Sequence, residues 1–210
     1  MRRLILLRPE PGSSASAERA RAMGLTVEQH ALFKVVAVPW TVVPDDFDAI
    51  VATSANAFRH GGLGLEALRA LPVHAVGAAT AEAAREAGFA VAQAGEGGAD
   101  ALVLPAGRLL HLTGRDHHAV PGATAVIVYD SVTLKPPPEF DPVDAVIAVH
   151  SARAGARLAE IVDQKISTMI AAISPAAAGA CGGGWQLVAV AGRPSDAALL
   201  ALARDLCQKP

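Results

Sequence analysis

The sequence predicts an α/β fold of parallel strands in which one α/β unit occurs twice. The short apolar segment Asp48–Ala52 is typical of a parallel strand that is buried on both faces. It runs into small polar residues, Thr53–Asn56, which suit the start of a helix. The same order returns at Asp144, 96 positions after Asp48. A repeat of this length indicates a duplicated α/β unit rather than a solenoid.

The two copies agree in spacing as well as in order. Asp48 and Gly77, which begin and end the strand–helix–strand part of the first copy, are 29 positions apart. The matching residues of the second copy, Asp144 and Ser174, are 30 positions apart. This agreement between two dissimilar elements favours duplication over chance.

The first copy is predicted to begin with a strand at Leu4–Leu7 and a helix that Ser13 or Ser14 caps and Gly24 ends. Further strands are predicted at Thr26–Gln29, Asp48–Ala52 and Val73–Gly77, and Gly88 ends a later helix. The extended segment His30–Trp40 is too long for one compact unit. Its second half is therefore predicted to be a connector.

The second copy is predicted to begin with strands at Arg108–Thr113 and Thr124–Leu134. Strands then start at Asp144 and Met169, and a last strand covers Trp185–Ala191. Ser195 is predicted to cap a helix that runs to Leu206.

The composition excludes several classes of protein. Aromatic residues are only 4% of a chain that is 52% hydrophobic, so Ala, Val, Leu and Ile must build the core. A net charge of -2 lacks the basic excess of a nucleic-acid-binding protein. The apolar runs are too short for a membrane span or a signal sequence, which predicts a cytoplasmic protein. Cys181 and Cys207 are accordingly predicted to be reduced and buried, with a disulfide as the alternative.

Neither a metal nor a nucleotide cofactor is predicted. The glycine-rich segment Gly95–Asp100 lacks the phosphate-binding lysine and the dinucleotide spacing, so a turn with Asp100 as N-cap is the interpretation. The adjacent His117 and His118 project in different directions and lack a third ligand at usable spacing. This disfavours NAD-dependent, ATP-dependent and metal-dependent enzymes.

Five segments, taken in order, resemble the uroporphyrinogen-III synthase family. They are the opening LLRPEP, the TSANAFR turn, the VGAATAEAAREAGF unit, the VIVYDS strand and the AAISPAA turn. The resemblance covers essentially the whole chain. It implies two similar parallel-sheet α/β domains joined by a two-stranded linker, with the active site in the cleft between them. By that plan residues 1–34 plus 137–210 form one domain, 41–126 the other, and 35–40 and 127–136 the linker strands.

The resemblance also implies an activity, the cyclisation of the linear tetrapyrrole hydroxymethylbilane to uroporphyrinogen III. The reaction releases water and inverts the last pyrrole ring, and it serves tetrapyrrole biosynthesis. The electron-rich pyrroles expel the hydroxyl, so the protein folds the substrate, binds its eight carboxylates and assists the leaving group. The expected enzyme is a cofactor-independent monomer without nucleic-acid or membrane partners.

Small polar turns after buried strands are the candidate carboxylate sites, because free backbone N–H groups at helix starts favour anions. The candidate substrate-binding residues are Arg8, Thr53, Ser54, Asn56, Gly77, Thr80, Ser151, Arg153 and Ser174. Ser54, Thr80 and Ser174 have a second interpretation as N-caps only. Arg8 has the alternative of a salt bridge to Glu10.

Tyr129 is the only tyrosine of the chain. The resemblance places it at the family's linker tyrosine and implies that its hydroxyl assists departure of water as a weak general acid. The alternative is packing in the linker with the hydroxyl in water. Strand alternation predicts that Val128 faces away from Tyr129, outward or against the partner strand.

Three departures from the family pattern leave other functions open. Ala176 and Ala177 stand where threonine or serine is common, and Arg153 stands where a small residue is usual. The segment Gly114–Gly122 is too short for the usual helix. The alternatives are therefore a non-catalytic two-domain module that binds a small acidic ligand, or a degenerate synthase-like protein.

Overall fold

The computed structural model describes residues 1–95 and 104–209, which contain six α-helices and eleven β-strands. The strands are β1 (Arg3–Leu6), β2 (Val27–Gln29), β3 (Phe33–Ala37), β4 (Ala49–Ala52), β5 (Val73–Ala75), β6 (Val91–Ala94), β7 (Leu109–Gly114), β8 (Ala123–Thr133), β9 (Ala145–Val149), β10 (Met169–Ala172) and β11 (Leu187–Val190). The helices are α1 (Gly12–Ala22), α2 (Asn56–His60), α3 (Ala78–Glu86), α4 (Ala152–Ile161), α5 (Pro175–Ala180) and α6 (Asp196–Cys207). The predicted cap Asp100 lies outside the described residues.

The chain divides into two units. Unit 1 is Met1–Lys34 with Thr133–Pro210, and unit 2 is Val35–Val132. The predicted α/β fold with parallel sheets is confirmed, because each unit is built on its own sheet with helices packed against it. The domain boundaries deduced from the sequence stay a prediction.

Unit 1 contains a five-stranded sheet in the order β2-β1-β9-β10-β11, with every neighbouring pair parallel. The central strands are buried on both faces, as their apolar sequences predict. Leu4 and Leu6 pack with α1 and α6 on one face. Ile5 and Leu7 pack with α4 and α5 on the other. Burying one such side chain contributes roughly 1.5–3 kcal/mol.

Unit 2 contains a six-stranded sheet in the order β6-β5-β4-β7-β8-β3. Strands β5, β4 and β7 run parallel, as do β6 and β8 beside them. One face packs against α2 and α3 around Ile50 and Leu110. The opposite face carries a smaller cluster of Ala49, Val51 and Leu109.

Strand β3 lies beside β8 at the edge of the second sheet. The N–H of Val38 donates to the carbonyl of Val128 at 3.1 Å, and the N–H of Leu134 donates to Leu32 at 3.0 Å. Partner numbers rise in one strand and fall in the other, so the pair is antiparallel. These are the two segments predicted to link the domains, and that role stays a prediction.

The two sheets share one strand order. In unit 1 the strands β1 and β2 of the first sequence copy join β9, β10 and β11 of the second. In unit 2 the strands β7 and β8 of the second copy join β4, β5 and β6 of the first. Numbered by position within the sequence repeat, both sheets read 2-1-3-4-5. Numbered along the chain, unit 1 reads 2-1-3-4-5 and the five parallel strands of unit 2 read 3-2-1-4-5, and both are orders of doubly wound sheets.

Local details differ from the sequence predictions at two places. Strand β6 was not predicted, because its alternating half-buried sequence, VAQA, follows a glycine-ended helix without a further signal. The capping of α1 by Ser13 or Ser14 is wrong: Pro11 occupies the cap position without a side-chain bond. The Glu10 carboxylate instead accepts from both the N–H and the hydroxyl of Ser14, at 3.0 and 2.9 Å.

Other predictions are confirmed. Ser195 caps α6, where its hydroxyl accepts from the N–H of Ala198 at 3.3 Å. Cys181 and Cys207 are buried free thiols, and burial raises the pKa of each to about 11. No helix within the described ranges is long and apolar enough to cross a membrane.

The contact between α4 and α5 depends on Gly155. A methyl group there would lie 2.7 Å from the carbonyl oxygen of Ala177 and 3.0 Å from the sulfur of Cys181. The Gly155→Ala variant is therefore expected to lower the free energy of unfolding by about 1–3 kcal/mol, measured by urea denaturation.

Gly179 provides the matched control, because it lies on α5 with no atom within 4 Å of an added methyl group. Gly179→Ala is expected to stabilise the protein by up to about 1 kcal/mol, since alanine favours helix. Equal stability of the two variants would show that the α4–α5 contact does not need Gly155.

Candidate functional site

Doubly wound sheets bind ligands outside the carboxyl ends of their strands, where the strand order reverses. In unit 1 this point lies between β1 and β9, and in unit 2 between β7 and β4. The residues at the carboxyl ends of these strands include Arg8, His150, Thr53 and Gly114. The candidate site is therefore described at each edge in turn.

The Arg8 guanidinium is held at the edge of unit 1. Its Nη1 donates to Asp196 Oδ1 and to Ser16 Oγ, both at 3.1 Å. A methyl group on Gly12 would lie 2.5 Å from Arg8 Nε, so glycine is needed for this close approach. The alternative salt bridge to Glu10 is wrong, because the Glu10 carboxylate bonds to Ser14.

Asp196 is the centre of a polar network at this edge. Its Oδ1 also accepts from Ser16 Oγ at 2.6 Å and from His150 Nε2 at 2.9 Å. Its Oδ2 accepts from Arg19 Nη2 at 3.0 Å. Desolvation raises the pKa of Asp196, but the hydrogen bonds from His150 and Ser16 and the nearby charges outweigh it and hold the pKa below its usual range. One carboxylate thus joins α1, α6 and the ends of β1 and β9.

Ser151 and Ser174 start the helices that follow β9 and β10. The Ser151 hydroxyl accepts from the N–H of Ala154 at 3.1 Å, and that of Ser174 accepts from Ala177 at 3.3 Å. Ser174 is therefore an N-cap, and its role toward a ligand stays a prediction. Each hydroxyl keeps its own proton for a further acceptor.

Arg153 lies on the first turn of α4, with its guanidinium carbon 4.6 Å from the centre of the Phe33 ring. Ala177, in the turn where the resemblance implies a hydroxyl, is fully buried. Its carbonyl oxygen is the atom that a methyl group on Gly155 would approach.

At the edge of unit 2, Thr53 follows β4 and is held by a histidine of β7. Its Oγ1 lies 3.2 Å from Nε2 of His111, which is fully buried. Burial first, and the charge of His117 second, lower the pKa of His111 to about 4. The imidazole is therefore neutral at physiological pH.

Ser54 and Asn56 form the turn that enters α2. The Ser54 hydroxyl accepts from the N–H of Asn56 at 3.2 Å. The helix starts at Asn56, so the cap position falls on Ala55, which makes no side-chain bond. Ser54 thus closes a local turn before the helix and is not its N-cap.

Gly77 and Thr80 stand at the start of α3. Gly77 occupies the cap position with extended backbone, and no atom lies within 4 Å of a methyl group added there. Neither the backbone angle nor the packing requires glycine, so the space beside Gly77 is open to a ligand. Thr80 is inside the helix and only 6% exposed, so its interpretation as an N-cap is wrong.

The Tyr129 ring lies directly over Gly114. A methyl group on Gly114 would be 2.5 Å from a ring carbon and 2.9 Å from the hydroxyl oxygen. The His60 ring is 6.4 Å away between centres. Burial, followed by the charge of Arg59, lowers the pKa of His60. The ring position therefore depends on the absence of a side chain at residue 114.

Of the two positions predicted for Val128, outward or against the partner strand, the outward one is wrong. Val128 is fully buried in the core that packs against α2 and α3, and Tyr129 packs against the same cluster. The register of β8 against β7 passes from Ile127 to Tyr129 and skips Val128. This bulge breaks the alternation on which the prediction rested.

Sequence reasoning missed three polar residues at the carboxyl edges of the two sheets. His111, His150 and Asp196 were not predicted, although each makes a hydrogen bond at a switch point. His111 gives a weak signal, since a lone imidazole in an apolar strand needs a partner. Asp196 gives no signal, because it looks like an ordinary acidic residue in the first turn of a helix.

A cavity of unit 1 lies away from this edge. It has a volume of about 500 Å³ and is lined by Pro136–Val143 and Ile161–Gln164. These segments precede β9 and β10, so the cavity is at the amino ends of the strands. It is lined by Glu139, Asp141 and Asp163, which would repel an acidic ligand.

The family model described as "Uroporphyrinogen-III synthase HemD" matches residues 14–201. The chain belongs to the uroporphyrinogen-III synthase family. The resemblance to this family is thereby confirmed, and four of the five sequence segments lie within the matched residues. No curated protein sequence matches the chain.

Solved structures show the same fold. Uroporphyrinogen-III synthetase from Helicobacter pylori aligns over 98% of this chain and 100% of its own, with a TM-score of 0.69 and 18% identity. A mutant uroporphyrinogen III synthase from Thermus thermophilus aligns over 99% and 100%, with a TM-score of 0.53 and 17% identity. Both likenesses support the α/β architecture of the family.

The Asp196 network predicts an acid-sensitive stability. The carboxylate has a lower pKa in the folded protein than its ordinary value of 3.8, so it stabilises the fold above pH 3.8 and loses this effect as the pH falls below it. Asp196→Asn is expected to lower the free energy of unfolding at pH 7 by about 1–3 kcal/mol. Urea denaturation between pH 7 and pH 3 should show this difference shrinking.

Asp205→Asn is the control, since this carboxylate is largely exposed and contacts its chain neighbour Arg204. It should change stability little at any pH. A deficit of Asp196→Asn that stayed constant down to pH 3 would contradict the role given to the carboxylate.

Proposed function

We propose that the protein converts hydroxymethylbilane to uroporphyrinogen III, with loss of water and inversion of the last pyrrole ring. The observation that carries this proposal is the match of the family model to residues 14–201. The structures from Helicobacter pylori and Thermus thermophilus bear the name of the same enzyme and share the fold. The product is a precursor in tetrapyrrole biosynthesis.

Each unit offers hydrogen-bond donors at its carboxyl edge, as a substrate with eight carboxylates requires. In unit 1 the proposed contacts are Arg8, Arg153 and the hydroxyl protons of Ser151 and Ser174. Arg8 already bonds to Asp196, which orients its guanidinium before any ligand arrives. An oriented guanidinium loses little freedom on binding a carboxylate, so the interaction is stronger.

In unit 2 the proposed contacts are Thr53, Ser54, Asn56, Gly77 and Thr80. Thr53 is held by His111, and Gly77 has open space beside its backbone. Thr80 is buried, so its contact would depend on a ligand group that reaches the start of α3 beside Gly77. These residues bind and orient the substrate, while the pyrroles provide the electrons of the reaction.

Tyr129 is the proposed proton donor to the departing hydroxyl. Its ring is held over Gly114, so the phenol is oriented before substrate binds. Transfer of the phenolic proton to the leaving oxygen gives water. The proton that the attacked pyrrole carbon loses on ring closure then balances the one donated. This chemistry uses no metal and no nucleotide.

The decisive experiment is an assay of product identity. The purified protein is incubated with hydroxymethylbilane, the products are oxidised, and the isomers are separated by chromatography. The uncatalysed reaction gives the uninverted type I isomer, so type III product is expected only with the enzyme. Type I product alone would overturn the proposal, and calorimetric binding without turnover would favour the non-catalytic binding module.

The Tyr129→Phe variant removes one hydroxyl and keeps the ring. Turnover is expected to fall by about 10- to 100-fold, because general-acid assistance is lost while the pyrrole still expels the hydroxyl. The product should stay type III, since inversion depends on how the substrate is folded. Thermal unfolding should be nearly unchanged.

Gly114→Ala is the complementary variant, because it keeps the Tyr129 hydroxyl but pushes the ring out of place. It should also lower turnover. Full activity of Tyr129→Phe would remove the hydroxyl from the mechanism, whatever Gly114→Ala shows.

A further inference from the structure

An imidazole lies near the switch point of each unit, half-buried in unit 1 and fully buried in unit 2. His150 directly follows β9 in unit 1, and its Nε2 bonds to Asp196 Oδ1. His111 lies on β7 in unit 2, and its Nε2 bonds to Thr53 Oγ1. Among the described residues, the Nδ1 of each is buried without a hydrogen-bond partner. Each imidazole therefore acts through Nε2, toward a group at the carboxyl edge.

The tautomer of His150 follows from its partner. A carboxylate such as that of Asp196 only accepts hydrogen bonds, so Nε2 must carry the proton. The buried Nδ1 is then a lone pair when the ring is neutral.

The tautomer of His111 follows from burial. The low pKa of His111 keeps the ring neutral, so it carries one ring proton. A proton on Nδ1 would leave an N–H group unbonded in a fully buried place, and such groups are rare. A proton on Nε2 is bonded to Thr53 and leaves only an unused lone pair. The second arrangement is the more stable one.

The direction of this bond determines what Thr53 can do. Its oxygen accepts from His111, and its own hydroxyl proton has no partner among the residues that the structure describes. Two residues earlier, Val51 pairs with His111 across β4 and β7. The bond therefore joins the two strands at the switch point and holds the threonine where β4 ends.

We propose that His111 is a positioning residue that makes Thr53 a hydrogen-bond donor to a ligand oxygen. The edge of unit 2 then favours an acceptor, such as a carboxylate, over a donor. This inference rests on the proposed function, in which Thr53 binds a carboxylate of the substrate. His111 itself touches no ligand and acts through Thr53.

The first test needs no substrate. Nitrogen NMR of protein labelled with ¹⁵N-histidine, at neutral pH, is expected to show His111 protonated at Nε2 and unprotonated at Nδ1. In Thr53→Val the Nε2 signal should shift, because its acceptor is lost. A His111 protonated at Nδ1 would overturn the inference, since the ring could then only accept from Thr53.

The second test distinguishes the loss of the hydrogen-bond donor at residue 111 from a change in side-chain volume there. His111→Leu removes the donor, whereas His111→Gln keeps an amide N–H near the place of Nε2. We expect His111→Leu to raise KM about five- to tenfold with kcat little changed, as for loss of one hydrogen bond to a charged group. His111→Gln should restore most of this loss. His74→Leu, on β5 of the same sheet, is the matched control and should leave KM unchanged.

A double variant decides whether His111 acts through Thr53. The KM of His111→Leu/Thr53→Val is expected to equal that of Thr53→Val alone, because the histidine then has no hydroxyl to orient. Effects that multiply would overturn the inference. If His111→Leu fails to fold, the inference is still tested by the His111 tautomer from NMR and by the KM of His111→Gln.

Failure of the proposed function has a different signature. A wild-type protein that yields no type III product would refute the synthase activity, while the NMR experiment would still report the direction of the His111–Thr53 bond. An active wild type with a multiplicative double variant would refute only the role of His111.

Discussion

The pairing of β1 with β9, and of β7 with β4, is the constraint on which the rest of the structure depends. Each pair joins strands from different copies of the sequence repeat. Neither copy completes a sheet by itself, because its first two strands lie in one unit and its last three in the other. The same two pairs form the switch points at which both edges present their polar groups.

The carboxyl edges of the two sheets both orient polar groups, but they do so with different residues. In unit 1 the carboxylate of Asp196 orients Arg8 and His150. In unit 2 a buried imidazole orients Thr53, and a glycine leaves room for Tyr129. Duplication therefore preserved the backbone plan and the place of the site, while the chemistry at each edge diverged. This agrees with the general finding that function depends on the site and not on the fold.

The features that could be predicted from the sequence are those determined by residues close together in the chain. Apolar runs located the buried strands, and serines before apolar helices located caps such as Ser174 and Ser195. Contacts between segments that are far apart in the sequence leave no local pattern. Asp196, for example, accepts a hydrogen bond from Arg8, which lies 188 positions earlier. The bulge at Val128 was also unpredictable, because register depends on the neighbouring strand.

The exchange of strands has a consequence for how the protein is made. Unit 2 is continuous in sequence, so all its strands have left the ribosome once residue 132 has emerged. Strands β1 and β2 are synthesised first, yet β9, the partner of β1, is completed only at residue 149. Until β9 has emerged, β1 can pair only with β2 and pack only against α1, so one edge of β1 stays without its partner strand. In a nascent chain, such an unpaired strand edge is prone to aggregation.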